Sequence, residues 1–285
     1  MAPAKVNLHL AVGATGPDGY HAVETILQAL ALHDEVVLSG GAPSFRCEPN
    51  LGLSAEDNLA WRAALAMAAE FVRPLDVAVS VEKRIPSGAG LGGASADAAA
   101  VIVGLAAHWG IDRSDVRLGV VARSLGADVP FFLEGGAALF TGRGDVLERR
   151  MRALDAPVVV VKPAEAVPTA RAYEAFDRLR PVSSPGTTGL VQALDEGDTR
   201  AVARHLHNAM TASSAGLVPA IGEALELVGS APGVLGATMA GSGSAVFGIC
   251  ADEQAASACA AHARAQGYWS VVTRSHPAGC EIEPF

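Results

Sequence analysis

Period-two alternation of apolar and polar side chains predicts strands in several parts of the chain. Between Lys5 and Val12 it assigns Val6, Leu8 and Leu10 to one face and Asn7 and His9 to the other. The same pattern, or a short apolar run, predicts extended segments at 22–32, 35–39, 77–83, 158–161, 236–239, 245–250 and 270–274. Turn chemistry at Gly16-Pro17-Asp18-Gly19 ends the first strand.

Segments rich in Ala and Leu, with apolar residues at helical spacing, predict helices between these strands. The expected helices are 57–72, one that ends near 109, 113–125, 169–179, 199–210, 217–228 and 253–266. Asp57 is the predicted N-cap of the first helix. Val182–Gly189, rich in Ser, Pro, Gly and Thr, predicts a loop. Interleaved strands and helices with few hairpin signals indicate an α+β or α/β fold. A boundary near Asp155–Pro157 predicts two domains, 1–155 and 156–285.

Composition excludes several classes of protein. The 285 residues are 50% hydrophobic and 18% charged, which argues against a disordered chain. The longest apolar stretch, Ala98 to Ala107, is about half of the roughly 20 residues that a membrane span needs. The N-terminal residues Met1–Asn7 lack the charged region and apolar core of a signal peptide, so we expect a cytoplasmic protein. The four cysteines are scattered and predict no metal site.

A net charge of -9 and the lack of a basic run argue against a nucleic-acid partner. Local binding of an anion remains compatible with that charge, because backbone N–H groups can bind phosphate. Four glycines between Gly88 and Gly93, after a strand and before a helix, predict such a phosphate loop. The loop is not a Walker A motif, because no Lys follows the glycines. It is not a dinucleotide fingerprint either, because Arg84–Ser87 separates it from the strand.

The segment Pro86–Ala96 resembles the second motif of the GHMP kinases, with Gly93-Ala94 in place of one residue. Ala2–Leu8 and Met239–Phe247 are similar to the first and third motifs of that family. The doubled glycine, Asp18–His21 and Leu125–Pro130 resemble the branch that phosphorylates 4-diphosphocytidyl-2-C-methyl-D-erythritol. One departure is Leu206–Met210, where relatives often carry a more acidic run.

This resemblance implies an α+β, two-lobed GHMP kinase fold with the active site in the cleft. The N-terminal lobe would resemble ribosomal protein S5 domain 2, and the C-terminal lobe would be ferredoxin-like. The implied reaction transfers the γ-phosphate of ATP, with Mg²⁺, to the 2-hydroxyl of the cytidyl substrate in the non-mevalonate isoprenoid precursor pathway. Another GHMP kinase, acting on homoserine or a mevalonate derivative, is one alternative, and a non-catalytic regulator is a second. We expect a monomer or weak homodimer with no membrane partner.

The family pattern implies a role for each matching residue. Asp128 would be the general base and Lys5 its cationic partner, although residue type alone also allows a turn aspartate and a surface lysine. The implied ATP-binding residues are Pro86, Ser87, Gly88, Ala89, Gly90, Leu91, Gly92, Gly93, Ala94, Ser95 and Ala96, with Asn58 and Lys83 beside the adenosine. Lys83 could equally be a solvated strand end. The implied substrate-binding residues are Asn7, Tyr20, His21, Thr169, Tyr173, Gly241 and Ser242, with Tyr173 opposite Tyr20 around the cytosine.

Overall fold

A computed structural model describes residues 1–16, 19–50, 52–179 and 184–283. Pro17 and Asp18 of the predicted turn, and Val182 and Ser183 of the predicted loop, lie outside the described residues.

The N-terminal half builds a mixed sheet with helices packed on one side. Its strands are β1 (Ala2–Thr15), β2 (His21–Gly40), β3 (Ser44–Glu48), β4 (Val77–Glu82), β5 (Ala137–Thr141) and β6 (Val146–Met151). Its helices are α1 (Leu59–Glu70), α2 (Gly93–His108), α3 (Val116–Leu125) and α4 (Val129–Glu134). The sheet runs in the order β3-β4-β2-β1, and β5 pairs with β2 and β6. Alanine-rich α2 lies so close to the sheet that a Cβ on Gly104 would come within 2.5 Å of Leu38 Cδ1.

The C-terminal half contains a second, antiparallel sheet. Its strands are β7 (Pro157–Lys162), β9 (Val234–Met239), β10 (Val246–Cys250) and β11 (Trp269–Arg274), in the order β11-β7-β10-β9. That order is the ferredoxin-like one predicted for this half. Its helices are α5 (Thr169–Leu179), α6 (Thr188–Glu196), α7 (Thr199–Arg204), α8 (Thr211–Leu217), α9 (Ala220–Gly229) and α10 (Glu253–Ala265).

The N-terminal and C-terminal halves of the chain are in contact along β1. A hydrophobic cluster lies between the two sheets and joins Val6 and Leu8 of β1 to Val158 and Phe247 of the second sheet. A two-residue strand, β8 (His207–Asn208), pairs in parallel with β1. β1 is therefore buried along most of its length and lies beside both halves.

Several sequence predictions need correction. The predicted helix 199–210 ends at Arg204 and is followed by β8. The predicted helix 217–228 begins only at Ala220, as α9, and a separate helix that was not expected, α8, precedes it. Strands β3, β5 and β6 and helix α6 were not expected. The N-cap of α1 is Asn58 rather than Asp57, because the Asn58 side chain accepts a hydrogen bond from Ala60 N.

The predicted alternation along β1 also fails after Asn7. The pairing of β1 with β2 shifts between Asn7 and His9, which indicates a bulge. As a result Leu10, not His9, lines the same cavity as Asn7. His9 is instead buried against His207, with 5.3 Å between the ring centroids.

Candidate active site

A cavity of about 1010 Å³ lies where β1, the glycine-rich segment before α2, and α5 meet. It brings together most of the residues that the sequence singled out. The predicted residues that line it are Lys5, Asn7, Tyr20, His21, Gly90, Gly92, Ser95, Asp128, Thr169, Tyr173, Gly241 and Ser242.

Lys5 and Asp128 form the charged pair at the base of this cavity. Lys5 is only 3% exposed, and its Nζ lies 3.7 Å from Asp128 Oδ2. Asp128 precedes the short helix α4, rather than a strand, but makes no side-chain capping bond to it. Its side chain is 41% exposed and faces the cavity. The carboxylate is therefore held by a buried cation and remains accessible to a ligand.

Asn7 connects this pair to the second glycine-rich turn. Its Oδ1 accepts hydrogen bonds from Lys5 Nζ and Gly241 N, both at 2.9 Å. Its Nδ2 donates to Thr25 Oγ1 at 2.9 Å, and Thr25 donates to the His9 carbonyl. This network fixes the direction in which the Lys5 ammonium points.

The first glycine-rich turn is shaped by backbone contacts. Gly88, Gly90 and Gly92 have φ values of 64°, 74° and 75°, in the left-handed region that favours glycine. A Cβ on Gly90 would lie 2.0 Å from the Ala240 carbonyl oxygen, so the two glycine-rich turns are in direct contact. Backbone N–H groups in the first turn of a helix lack intrahelical partners. The start of α2, where Ser95 lines the cavity, is therefore suited to an anionic ligand.

Lys83 lies under this turn and is not a solvated strand end. Its side chain is 8% exposed, and Nζ contacts the carboxylates of both Asp34 and Asp97. Asp34 Oδ1 also accepts hydrogen bonds from Arg84 N and Ile85 N. Because Lys83 links Asp34 to Asp97 on α2, the cluster joins the two ends of the glycine-rich segment.

The protonation of this cluster follows from its burial and its hydrogen bonds. Burial raises the pKa of Asp97, and no described residue provides a hydrogen-bond partner for its Oδ1 atom. Burial acts to lower the pKa of Lys83, but Asp97 and Asp34 outweigh it, and that pKa is raised. Burial therefore favours the protonated form of the Asp97 carboxyl.

Three aromatic side chains form the outer wall of the cavity. The His21 ring is stacked on Tyr173, with centroids 5.1 Å apart and an interplanar angle of 21°. His21 is therefore a ring neighbour of Tyr173, and Tyr20 lines the same cavity. Tyr20 is 57% exposed, and the Arg143 guanidinium carbon lies 3.9 Å from its ring centroid. Burial, and then the charge of Asp128, raises the pKa of Tyr173.

The second glycine-rich turn is held by Asn208, which sequence reasoning missed, and by the predicted residue Thr169. Asn208 Nδ2 donates to the carbonyls of Met239 and Gly241, at 2.7 and 2.8 Å. Thr169 Oγ1 and Ser242 Oγ lie 3.1 Å apart, which links α5 to the turn. An asparagine inside a predicted helix was the available signal, because Asn favours turns and caps over helix interiors.

Of the predicted ATP-binding residues, Gly90, Gly92 and Ser95 line the cavity, and Asn58 and Lys83 are among those that do not. Asn58 Oδ1 caps α1, and Lys83 belongs to the buried cluster. The other residues of the segment 86–96, Pro86, Ser87, Gly88, Ala89, Leu91, Gly93, Ala94 and Ala96, do not line it. Arg143 and Thr25 line the cavity but were not singled out by the sequence.

Comparisons with known proteins agree with this geometry. The family described as "GHMP kinases N terminal domain" matches residues 58–136, and "GHMP kinases C terminal" matches residues 190–268. A 4-diphosphocytidyl-2-C-methyl-D-erythritol kinase of Pelotomaculum thermopropionicum is 39% identical over 279 residues, covering 96% of each chain. One from Streptomyces coelicolor is 38% identical, covering 93% of this chain and 91% of the relative.

Solved structures give the same result at the level of the fold. A crystal structure of a 4-(cytidine 5'-diphospho)-2C-methyl-D-erythritol kinase superposes with a TM-score of 0.81 at 34% identity, covering 96% of this chain and 98% of the other. Homoserine kinase from Cytophaga hutchinsonii superposes with a TM-score of 0.68 at 20% identity, covering 98% and 96%, which supports the fold alone. The two-lobed fold implied by the sequence motifs is thereby confirmed.

Proposed function

This chain belongs to the GHMP kinase family and, within it, to the 4-diphosphocytidyl-2-C-methyl-D-erythritol kinases, and from that membership we propose its reaction. It transfers the γ-phosphate of ATP to the 2-hydroxyl of 4-diphosphocytidyl-2-C-methyl-D-erythritol, in the non-mevalonate isoprenoid precursor pathway. The observation that carries the proposal is one cavity that joins the Lys5–Asp128 pair, the helix N-terminus after the glycines and an aromatic wall.

Phosphoryl transfer depends mainly on positioning and on neutralising charge. Asp128 accepts a hydrogen bond from the substrate hydroxyl and takes its proton as the new P–O bond forms. Lys5, 3.7 Å from that carboxylate, stabilises the negative charge that develops on the attacking oxygen. Asn7 holds the Lys5 ammonium in place through its 2.9 Å hydrogen bond.

The glycine-rich segment supplies the ATP site. The N-terminus of α2 and the turn 88–92 place backbone N–H groups and Ser95 along the cavity wall. Asn58 and Lys83 would support the ATP site indirectly. Asn58 would do so by capping α1, and Lys83 through its cluster with Asp34 and Asp97.

The donor set suits Mg²⁺ carried by the nucleotide rather than a cage built by the protein. Over the described ranges, no group of three His, Cys, Asp or Glu side chains could hold a metal ion. Mg²⁺ commonly keeps several waters and binds through substrate phosphates with few protein oxygens. The Ser95 hydroxyl would be such an oxygen, and the ion would neutralise phosphate charge.

The outer wall is the proposed cytosine site. Tyr20, His21 and Tyr173 offer aromatic faces for stacking on a pyrimidine, and Thr169 and Ser242 offer hydroxyl groups. Gly241 closes this end of the cavity. The Tyr20 and His21 pair distinguishes the site from one built for homoserine or a mevalonate derivative, which carry no base.

A division at residues 155 and 156 remains our proposal for the lobes, supported by the separate sheets on either side. A non-catalytic regulator is disfavoured, because both Lys5 and Asp128 are present and adjacent. No helix within the described ranges has the length and apolarity to cross a membrane. We further propose that the protein is a cytoplasmic monomer or weak homodimer and uses cytoplasmic ATP.

The proposed role of Asp128 is tested by Asp128→Asn, with Glu174→Gln as a matched control. Glu174 also lines the cavity, and its carboxylate is paired, at 3.9 Å, with Arg178 on the same helix. Removing a general base lowers kcat by about 10²- to 10⁴-fold. We expect that loss in Asp128→Asn with unchanged ATP affinity, and near wild-type kcat in Glu174→Gln. Full activity of Asp128→Asn would refute the assignment.

A further inference from the structure

Arg143 has a position in the cavity that the proposed reaction does not yet explain. It lies in the turn between β5 and β6, between Gly142 and Gly144, whose φ values are 71° and 90°. The turn is closed by hydrogen bonds from Gly144 N to Thr141 O at 2.9 Å and from Arg143 N to Asp145 Oδ1 at 3.1 Å.

The turn is also tied to the strand that carries the aromatic wall. Val23 N donates to the Gly142 carbonyl at 2.8 Å, only two residues after His21. This bond places the Arg143 side chain over Tyr20, with the guanidinium carbon 3.9 Å from the ring centroid. Guanidinium groups stack favourably on aromatic faces, so the charge is held next to the proposed base-binding ring.

The distribution of charge in the cavity shows why a cation is needed there. Its carboxylates include Asp128, Asp145, Glu174 and Asp177, whereas the ammonium of Lys5 is directed to Asp128 and Asn7. A nucleoside diphosphate brings further negative charge, and that charge lies one ribose away from the base.

A second arginine in the cavity wall, Arg123, is placed differently. Its guanidinium lies along its own helix, where Nη1 would be 3.3 Å from a Cβ on Gly119. Arg143, by contrast, is next to the aromatic wall, and its planar guanidinium group can bind a phosphate through two parallel hydrogen bonds.

We propose that Arg143 is a specificity-determining residue that binds the diphosphate of the cytidyl substrate, with one face of Tyr20 supporting the guanidinium. This inference rests on the proposed function, since it assumes that a cytidine diphosphate group enters the cavity. It extends that function by naming the residue that distinguishes a nucleoside diphosphate from an uncharged nucleoside.

The test compares cytidine diphosphate with cytidine by calorimetric titration of the full chain, with a non-hydrolysable ATP analogue at saturation. Arg143→Met keeps an apolar stem over Tyr20 but removes the charge, and Arg123→Met is the matched control. A charge-assisted hydrogen bond lost from a binding site corresponds to about a 10- to 100-fold loss of affinity. We expect that loss for cytidine diphosphate in Arg143→Met, and less than about a 3-fold change for cytidine in either variant.

The possible results separate the two proposals. Suppose that the wild type binds both ligands and that Arg143→Met binds cytidine diphosphate with wild-type affinity. The inference about Arg143 is then overturned, while the proposed function stands. Equal weakening of cytidine and cytidine diphosphate would also overturn it, because Arg143 would then act only by supporting Tyr20. If the wild type binds neither ligand, the proposed function itself fails.

Discussion

Replacing Gly90 with alanine should separate the two glycine-rich turns. At this residue φ is 74°, and an added Cβ would lie 2.0 Å from the Ala240 carbonyl oxygen and 2.9 Å from its carbon. An ordinary contact begins near 3.4 Å, so the turns must move apart by about 1.4 Å, the difference between 3.4 and 2.0 Å. The obstacle is backbone rather than the flexible end of a side chain, so it cannot rotate away.

Two costs add in this variant. A left-handed conformation costs an L-residue about 1–2 kcal/mol. Overpacking a closely packed contact costs about another 1–3 kcal/mol. Gly110→Ala is the matched control, because Gly110 has φ of 66° but no atom within 4 Å of an added Cβ. Gly110→Ala therefore has the cost of the left-handed conformation but not the cost of overpacking.

Urea unfolding and steady-state kinetics measure both consequences. The free energy of unfolding should fall by about 1–3 kcal/mol more in Gly90→Ala than in Gly110→Ala. A displacement of about 1 Å at the ATP site should also lower kcat by about 10²-fold. If the two variants unfold at the same urea concentration and both keep full activity, the reasoning that the turns shape the site by direct contact is wrong.

Two further predictions concern buried titratable groups. Burial, and then the neighbouring His207, lowers the pKa of His9 from 6.5 to about 4, so the unfolded chain binds the proton more tightly. Stability should therefore fall by about 3 kcal/mol between pH 7 and pH 4 through this residue, and His9→Phe should remove that part of the pH dependence. Asp97→Asn should change the free energy of unfolding by less than about 1 kcal/mol, because the amide resembles the protonated carboxyl. Asp34→Asn should cost about 3 kcal/mol or more, because it removes the carboxylate that holds Lys83 and two backbone N–H groups.

Each of these has a contradicting result. Equal pH dependence of unfolding in wild type and His9→Phe would show that His9 titrates normally in the folded chain. Equal destabilisation by Asp97→Asn and Asp34→Asn would show that the cluster needs the negative charge of Asp97.

Local patterning predicted those elements whose own residues carry a clear period. The alternation of Val77, Val79 and Val81 predicted β4, and α5 runs over the expected residues 169–179. Among the missed strands, β6 lacks that signal. β6 carries Glu148, Arg149 and Arg150 on a largely exposed strand, so its extended form depends on pairing with β5.

The candidate site could be predicted where its residues lie within a motif and not where it depends on distant contacts. Lys5, Asp128 and the glycine-rich segment follow from the family resemblance. The burial of Lys83 depends on Asp34, 49 residues away. The position of Arg143 over Tyr20 depends on a backbone hydrogen bond between β2 and the turn after β5. No local period carries such information.

The proposed reaction is tested most directly by identifying the phosphorylated product. The protein is incubated with Mg²⁺ and ATP and, separately, with 4-diphosphocytidyl-2-C-methyl-D-erythritol, homoserine or mevalonate, and products are followed by ³¹P NMR. The account predicts a new phosphomonoester on C2 of the cytidyl substrate, with its diphosphate intact, and no such product from the other two alcohols. Phosphorylation of homoserine or mevalonate instead of the cytidyl substrate would contradict the proposed reaction. It would also be contradicted if the protein bound ATP but phosphorylated none of the three alcohols.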